Sequence, residues 1–221
     1  RGGTVLIPAF AVGRAQSLLY AIYRLKQRRA IPDLPVFLNS PLAIDMADIY
    51  HRHRAEHRLS DAECAGMCKV ATMVRSVEES RALNAMTYPA VIVSASGMAT
   101  GGRVLHHLKT LAPDRRNTVV FAGYQAAGTR GARMVAGESS IRIHGQDIPV
   151  RAEVMSREGI SAHADARQIV QWLATAQRPP RRVYLPHGEP GPADTLRQRI
   201  ERELGWDAYA PRLGQTIEVE S

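Results

Sequence analysis

The chain has 221 residues, 45% of them hydrophobic, enough for one large α/β domain or two small ones. It holds no run of about 18 apolar residues that would span a membrane. The net charge of +8, carried mostly by arginine, favours a polyanionic partner, because guanidinium groups pair bidentately with phosphate; an arginine-rich solvated surface gives the same total.

The chain starts Arg1-Gly2-Gly3-Thr4, with no initiator methionine and no signal-peptide pattern, and runs at once into Val5-Leu6-Ile7. It reads as a piece of a longer protein. Thr4–Phe10 has the apolar continuity of a buried strand, and Gly13–Arg29 the period of an amphipathic helix with Leu18, Leu19, Ile22 and Leu25 inward. Pro35–Asn39 is a short strand, after which Ser40 can cap a helix that begins at Pro41 and continues to about His57. Further helix is expected near Asp61–Gly66, a strand at Val70–Val74 and a helix at Val77–Met86. Ala90–Ser94 and Thr118–Ala122 are strands, each followed by a glycine-rich turn and a helix, Arg103–Leu111 and Thr129–Val135. Ile141–Ile143 and Ile148–Glu153 flank a hairpin turn at His144-Gly145-Gln146-Asp147, which leaves His144 exposed. Beyond it come a helix at Ala164–Ala176, a strand at Arg182–Leu185, a helix at Pro192–Leu204 and a last strand at Thr216–Val219. Strand and helix alternate throughout, so the fold class is α/β, a mostly parallel sheet flanked by helices. The change of character after the hairpin divides the chain into residues 1–150 and 151–221.

Three strand-to-helix junctions have the composition of anion sites. In Ser94-Ala95-Ser96-Gly97-Met98-Ala99-Thr100-Gly101-Gly102, small residues expose backbone N–H groups, Ser94, Ser96 and Thr100 add hydroxyls, and Arg103 adds a charge. In Gly123–Gly131, Tyr124 can stack on a base while Thr129 and Arg130 meet phosphate. Phe10–Gln16, with Arg14, repeats the logic. Each alone is as readily a tight packing turn, but three at the strand ends of one parallel sheet converge on one crevice. A dinucleotide-binding fold is excluded, because Gly97–Gly102 has the wrong spacing and no acidic residue follows suitably.

Histidines mark the rest. Gly159-Ile160-Ser161-Ala162-His163-Ala164-Asp165 and Leu185-Pro186-His187-Gly188-Glu189 each place an imidazole in a loop beside small residues, suited to metal binding or proton transfer. His106 and His107 lie within reach of RNA or at a helix surface, the surface reading being preferred; Trp172 and Trp206 read as packing residues. Cys64 and Cys68 form neither a CxxC pair nor a disulfide framework and read as reduced thiols of a cytoplasmic protein. His51-Arg52-His53-Arg54-Ala55-Glu56-His57 reads as a solvated helical face, since helical residues two apart diverge by roughly 200°.

Five strings in order resemble the β-CASP group of metallo-β-lactamase-fold nucleases, in its RNA-processing branch. They are Leu6–Gln16, Asn39–Ala43, Ser94–Met98, Ser161–Asp165 and Leu185–Glu189. The resemblance implies that residues 1–150 are most of a β-CASP domain inserted late in a metallo-β-lactamase domain. Residues 151–221 are then the returning stretch of that αββα domain, associated with RNA specificity. By the same resemblance His187 ligates one of two catalytic zinc ions, and His163 lies near the scissile phosphate as a proton donor. Asp165 and Glu189 are placed to orient these imidazoles, with helix capping or surface roles equally open. Arg14, Ser94, Ser96, Gly97, Thr100, Gly101, Gly102, Arg103, Tyr124, Thr129 and Arg130 are the expected contacts to single-stranded RNA.

The family's His-x-His-x-Asp-His string and its remaining ligands are missing, and the string at His51–His57 has Ala55 and Glu56 where aspartate and histidine are required. The isolated chain is therefore expected to lack hydrolase activity and to need the N-terminal segment of its parent. A homodimer is a further implied possibility. A non-catalytic RNA scaffold and a DNA-directed nuclease are the alternatives. Retention of both histidines argues against the first, and His187, where the DNA branch commonly has valine, argues against the second.

Overall fold

The computed structural model describes residues 1–157, 159 and 163–218. It comprises two compact units, Arg1–Ser161 and Ala162–Ser221.

The first unit runs β1 (Val5–Pro8), α1 (Arg14–Gln27), β2 (Val36–Asn39), α2 (Pro41–Arg52), α3 (Asp61–Lys69), β3 (Thr72–Met73), α4 (Val77–Asn84), β4 (Val91–Ser94), α5 (Val104–Leu111), β5 (Thr118–Phe121), α6 (Arg130–Val135), β6 (Ser140–Ile143), β7 (Gln146–Pro149) and β8 (Glu153–Ser156). Six strands make one sheet in the order β3-β2-β4-β1-β5-β8, and every pairing in it is parallel. Such strands are covered on both faces, which is why they read as continuous apolar runs. Successive residues still separate by face. Leu6, Ile92, Val119 and Phe121 enter one core with Leu83, Leu108 and Met134, from α4, α5 and α6; the hairpin strands add Ile141, Ile143 and Ile148. Ile7, Val36, Leu38, Val91 and Val93 enter the other, with Leu18 and Leu19 of α1, Ile44 of α2 and Met67 of α3. Leu25, expected on the inner face of α1, is half exposed.

Helix starts follow their caps. The Ser40 hydroxyl accepts from the Ala43 amide, and Ser60 and Ser76 form capping boxes with Glu63 and Glu79. Two boundaries depart from the sequence reading. α2 ends at Arg52, not near His57, and a single 3₁₀ turn follows at Arg54–Glu56. The His57 ring explains the stop: Nδ1 accepts from the Leu59 amide at 3.3 Å and Nε2 donates to the Tyr50 carbonyl at 3.2 Å, a local alternative to helical bonding. The stretch Ile148–Glu153 is two strands, not one. The hairpin turns on His144 (φ 48°) and Gly145 (φ 78°) alone, so Gln146 and Asp147 lie in β7. The Arg151 and Ala152 amides then both donate to the Ala112 carbonyl, bending the chain toward β8 beside β5.

The second unit contains α7 (Ala166–Leu173), β9 (Val183–Tyr184), α8 (Pro190–Leu204) and β10 (Ala208–Tyr209). β9 and β10 pair in parallel over a small core of Val170, Ile200 and Ala208. Gly205 closes α8 in the left-handed conformation. The strand expected at Thr216–Val219 does not form over residues 216–218, and Val219 lies outside the described residues; β10 takes the pairing instead. Trp206 packs on this core, but Trp172 is 72% exposed and does not pack as expected. Among the described residues no helix is long and apolar enough to cross a membrane.

Candidate functional site

Because the sheet is parallel, the carboxyl ends of β1, β2, β4 and β5 lie along one edge, and the three glycine-containing junctions emerge there side by side. They interlock. A Cβ on Gly97 would sit 2.9 Å from the Phe10 ring and 3.0 Å from the Phe10 amide nitrogen, so only glycine lets these two loops meet. The Gly131 amide donates to the Met98 carbonyl at 3.0 Å, and Gln125 Nε2 donates to the Gly97 carbonyl at 3.2 Å.

The expected RNA contacts divide by what their polar atoms already do. Ser94 is fully buried and donates to the Asn39 carbonyl at 2.9 Å, which places it inside the sheet rather than at the crevice. The Ser96 hydroxyl accepts from the Thr100 and Gly101 amides at 3.1 and 3.3 Å and also meets the Thr100 hydroxyl, closing the loop on itself. At Gly102 (φ 76°) a Cβ would fall 2.5 Å from the Ala95 carbonyl oxygen. Thr129 caps α6, accepting from the Ala132 amide and donating to the Ala126 carbonyl. Arg103 donates to Asn39 Oδ1 at 2.8 Å and to the Val74 and Arg75 carbonyls at 3.2 and 2.6 Å. Arg130 donates to the Arg142 carbonyl at 2.6 Å and to those of Ala99 and Thr100 at 3.3 Å. Arg14 lies beside Gly123, where a Cβ would come within 3.5 Å of Nη2. Tyr124 is 60% and Phe10 47% exposed, and Val12 and Leu42 are also exposed.

Beneath this edge lies a constellation that sequence reasoning missed. His107, expected at a helix surface, is fully buried. Its Nδ1 is 2.6 Å from Asn84 Oδ1 and its Nε2 is 2.7 Å from Asn39 Nδ2, which sets the tautomer with the proton on Nδ1. Asn39 Nδ2 also donates to the Ser80 hydroxyl at 2.6 Å. The pKa of His107 is lowered from 6.5 to about 4, first by burial and then by the charges of His106 and Arg103. The end of β2 is thus tied to α4 and α5 through neutral groups.

In the second unit, His187 follows β9 at φ 64°, a conformation uncommon for any residue but glycine, and its side chain is exposed. His163 is exposed as well. Ser161 and Ala162 of its motif lie outside the described residues. Asp165 is the N-cap of α7: its carboxylate accepts from the Gln168 amide at 2.8 Å, and Gln168 Oε1 accepts from the Asp165 amide at 2.9 Å. Asp165 therefore caps α7. Glu189 takes the N-cap position of α8, ahead of Pro190, with no side-chain bond to the helix start.

Among the described residues, one group of three side chains has ligand atoms close enough to share a metal ion. His51, Cys64 and Cys68 have their ligand atoms all within 4.8 Å of one another. Among the described residues, His187 and His163 belong to no such group.

Comparison with known proteins agrees with this architecture. The class defined is that of metallo-hydrolase nuclease segments: residues 15–134 match the Beta-Casp domain, and residues 147–211 match the Zn-dependent metallo-hydrolase RNA specificity domain. The chain belongs to the β-CASP family of metallo-β-lactamase-fold proteins. It is 39% identical to a ribonuclease of Thermus thermophilus over 195 residues, covering 86% of this chain and 44% of the relative. It is 34% identical to transcription termination factor FttA of Pyrococcus abyssi over 230 residues, covering 99% and 35%. With FttA of Methanocaldococcus jannaschii the identity is 32% over 235 residues, covering 100% and 36%. The chain thus spans less than half the length of each of these relatives.

Proposed function

We propose that this chain is the RNA-gripping and site-completing part of a zinc-dependent ribonuclease that hydrolyses phosphodiester bonds of single-stranded RNA, in the manner of mRNA 3′-end processing. Residues 1–150 form the β-CASP part and residues 151–221 the returning stretch of the hydrolase domain. The observation that carries the reading is the edge of the parallel sheet. Phe10 and Tyr124 expose aromatic faces there, for stacking on unpaired bases, and Arg14 stands beside them for phosphate. His187, held at a positive φ, is the donor to catalytic zinc assigned to this chain, since a strained histidine at a strand end suits a functional role better than packing. When bound, zinc supplies an activated hydroxide and stabilises charge on the phosphate. His163 protonates the leaving oxygen. The rest of the ligands belong to a preceding segment of the parent protein, so the chain alone does not cleave RNA.

The test is paired. The parent protein should cleave single-stranded RNA in a chelator-sensitive way and lose that activity on His187→Ala, while the 221-residue chain should bind the same RNA without cleaving it. Robust, chelator-sensitive cleavage by the isolated chain would falsify the division of ligands. Failure of the isolated chain to bind RNA at low salt removes the gripping role.

A further inference from the structure

We infer that His51, Cys64 and Cys68 form a binding site for a thiophilic divalent cation, zinc being the representative ion, built from residues other than those assigned to catalysis and independent of the nuclease reading. Cys64 and Cys68 are four residues apart on α3 and so share one face of that helix. Across from them is the end of α2, where Ala47 and His51 stand in the same four-residue relation. Two contacts join the faces: Cys64 Sγ is 3.9 Å from His51 Nδ1, and Cys68 Sγ is 3.9 Å from the Ala47 carbonyl oxygen.

The dimensions suit a tetrahedral ion. Bond lengths of about 2.3 Å to sulfur and 2.0–2.1 Å to nitrogen imply ligand separations of about 3.6–3.8 Å. With all three ligand atoms inside 4.8 Å, closure requires side-chain shifts on the order of 1 Å. The donor set is the second argument. Two thiolates neutralise a divalent ion, so the filled site carries no net charge into a half-buried position, and soft sulfur selects zinc over magnesium or calcium. Cys64 is fully buried, Cys68 half-buried and His51 exposed, so the ion would have sulfur on its inner side and imidazole at the rim, with the fourth position open to water. The filled site would pin the last turn of α2 to α3 at the point where the chain leaves helical structure for the turn at Arg54–Glu56.

The experiment uses the 221-residue chain, stripped with chelator under reducing conditions and titrated with cobalt(II), then zinc. Expected are a thiolate-to-cobalt charge-transfer absorption, one ion bound per chain, and protection of both thiols from a chromogenic disulfide reagent when zinc is present. His51→Ala and Cys68→Ser, neither at a fully buried position, should each weaken zinc binding at least about tenfold, the lower bound for losing groups around a metal. His187→Ala should leave binding unchanged, which separates this site from the catalytic one. Two thiols equally reactive with and without zinc overturn the proposal, as does cobalt binding without sulfur charge transfer. Zinc binding lost in His187→Ala but kept in His51→Ala overturns it too.

Discussion

Acid should loosen the first unit through one residue, His107. In the folded chain this imidazole is neutral, with its proton on Nδ1 facing Asn84 and its Nε2 lone pair facing Asn39. Burial, with the nearby charges of His106 and Arg103, lowers its pKa from 6.5 to about 4. Between those values the unfolded chain binds a proton that the folded chain refuses, so stability falls as pH drops from 6.5 toward 4 and levels off below. At 1.36 kcal/mol per pH unit, the interval amounts to about 3 kcal/mol, or roughly 6–12 °C in melting temperature for a chain of this size. Urea unfolding followed from pH 7 to 4 by circular dichroism measures it. Exposed carboxylates held low by caps, Glu63 and Glu79, lose their contribution only below their ordinary 4.5, so they stay out of the window from 6.5 to 4.5. His107→Gln, which keeps an amide donor and acceptor without a titratable ring, should be less stable at neutral pH but nearly flat across that window. An equal acid slope in wild type and variant would refute the assignment.

Three further outcomes follow from the same geometry. Arg14→Ala should weaken single-stranded RNA binding uniformly across sequences and reduce the salt slope by about 1, with no change in melting; fluorescence anisotropy at several salt concentrations measures it. Gly97→Ala should destabilise the first unit by about 1–3 kcal/mol, because its Cβ has no space beside the Phe10 ring and amide, and should weaken RNA binding with it. Trp172→Ala should change the stability of the chain by no more than about 0.5 kcal/mol, as for other exposed positions; a loss above 2 kcal/mol would place the indole in a core.

What could be read from the sequence follows from locality. Val5-Leu6-Ile7, Val91-Ile92-Val93 and Thr118–Phe121 are apolar runs whose neighbours in sequence already decide that they are buried strands, and Ser40-Pro41 marks its helix start by its own chemistry. The failures needed distant partners. His107 meets Asn39 and Asn84, 68 and 23 positions away, and nothing in its own segment distinguishes a buried imidazole from an exposed one. Polar histidines at 106 and 107 point in different directions on one helix, and only the core decides which is inside. His51 is exposed, as its own helix face suggested, but the two thiols near it come from the next helix and could not be read from that face. β10 is only two residues long, shorter than any period that patterning can register. Ser94 ends an apolar strand, and its burial follows from β2 lying alongside to accept its hydroxyl.

The arginines at the sheet edge show how, on the proposed reading, a residue can serve RNA without touching it. Arg103 and Arg130 spend their donors on carbonyl oxygens and one amide oxygen, acceptors with no net charge. Among the described residues neither forms an ion pair, and both positive charges are fixed in place, with Glu79 within electrostatic reach of Arg103. Arg197 and Arg199 on α8 are different: each is paired with carboxylates one turn away, Asp194 and Glu201 for the first and Glu203 for the second, and adds little to the field beyond its own helix. A held, unpaired guanidinium needs no reorganisation when a phosphate approaches, and it raises the local potential without competing for contacts. The loops then keep their own shape by hydrogen bonding while their charge still acts on the backbone of a passing strand. On the proposed reading, direct contact falls to Arg14 and to the exposed Phe10 and Tyr124, which is why removing Arg14 should alter the salt dependence of binding without loosening the fold.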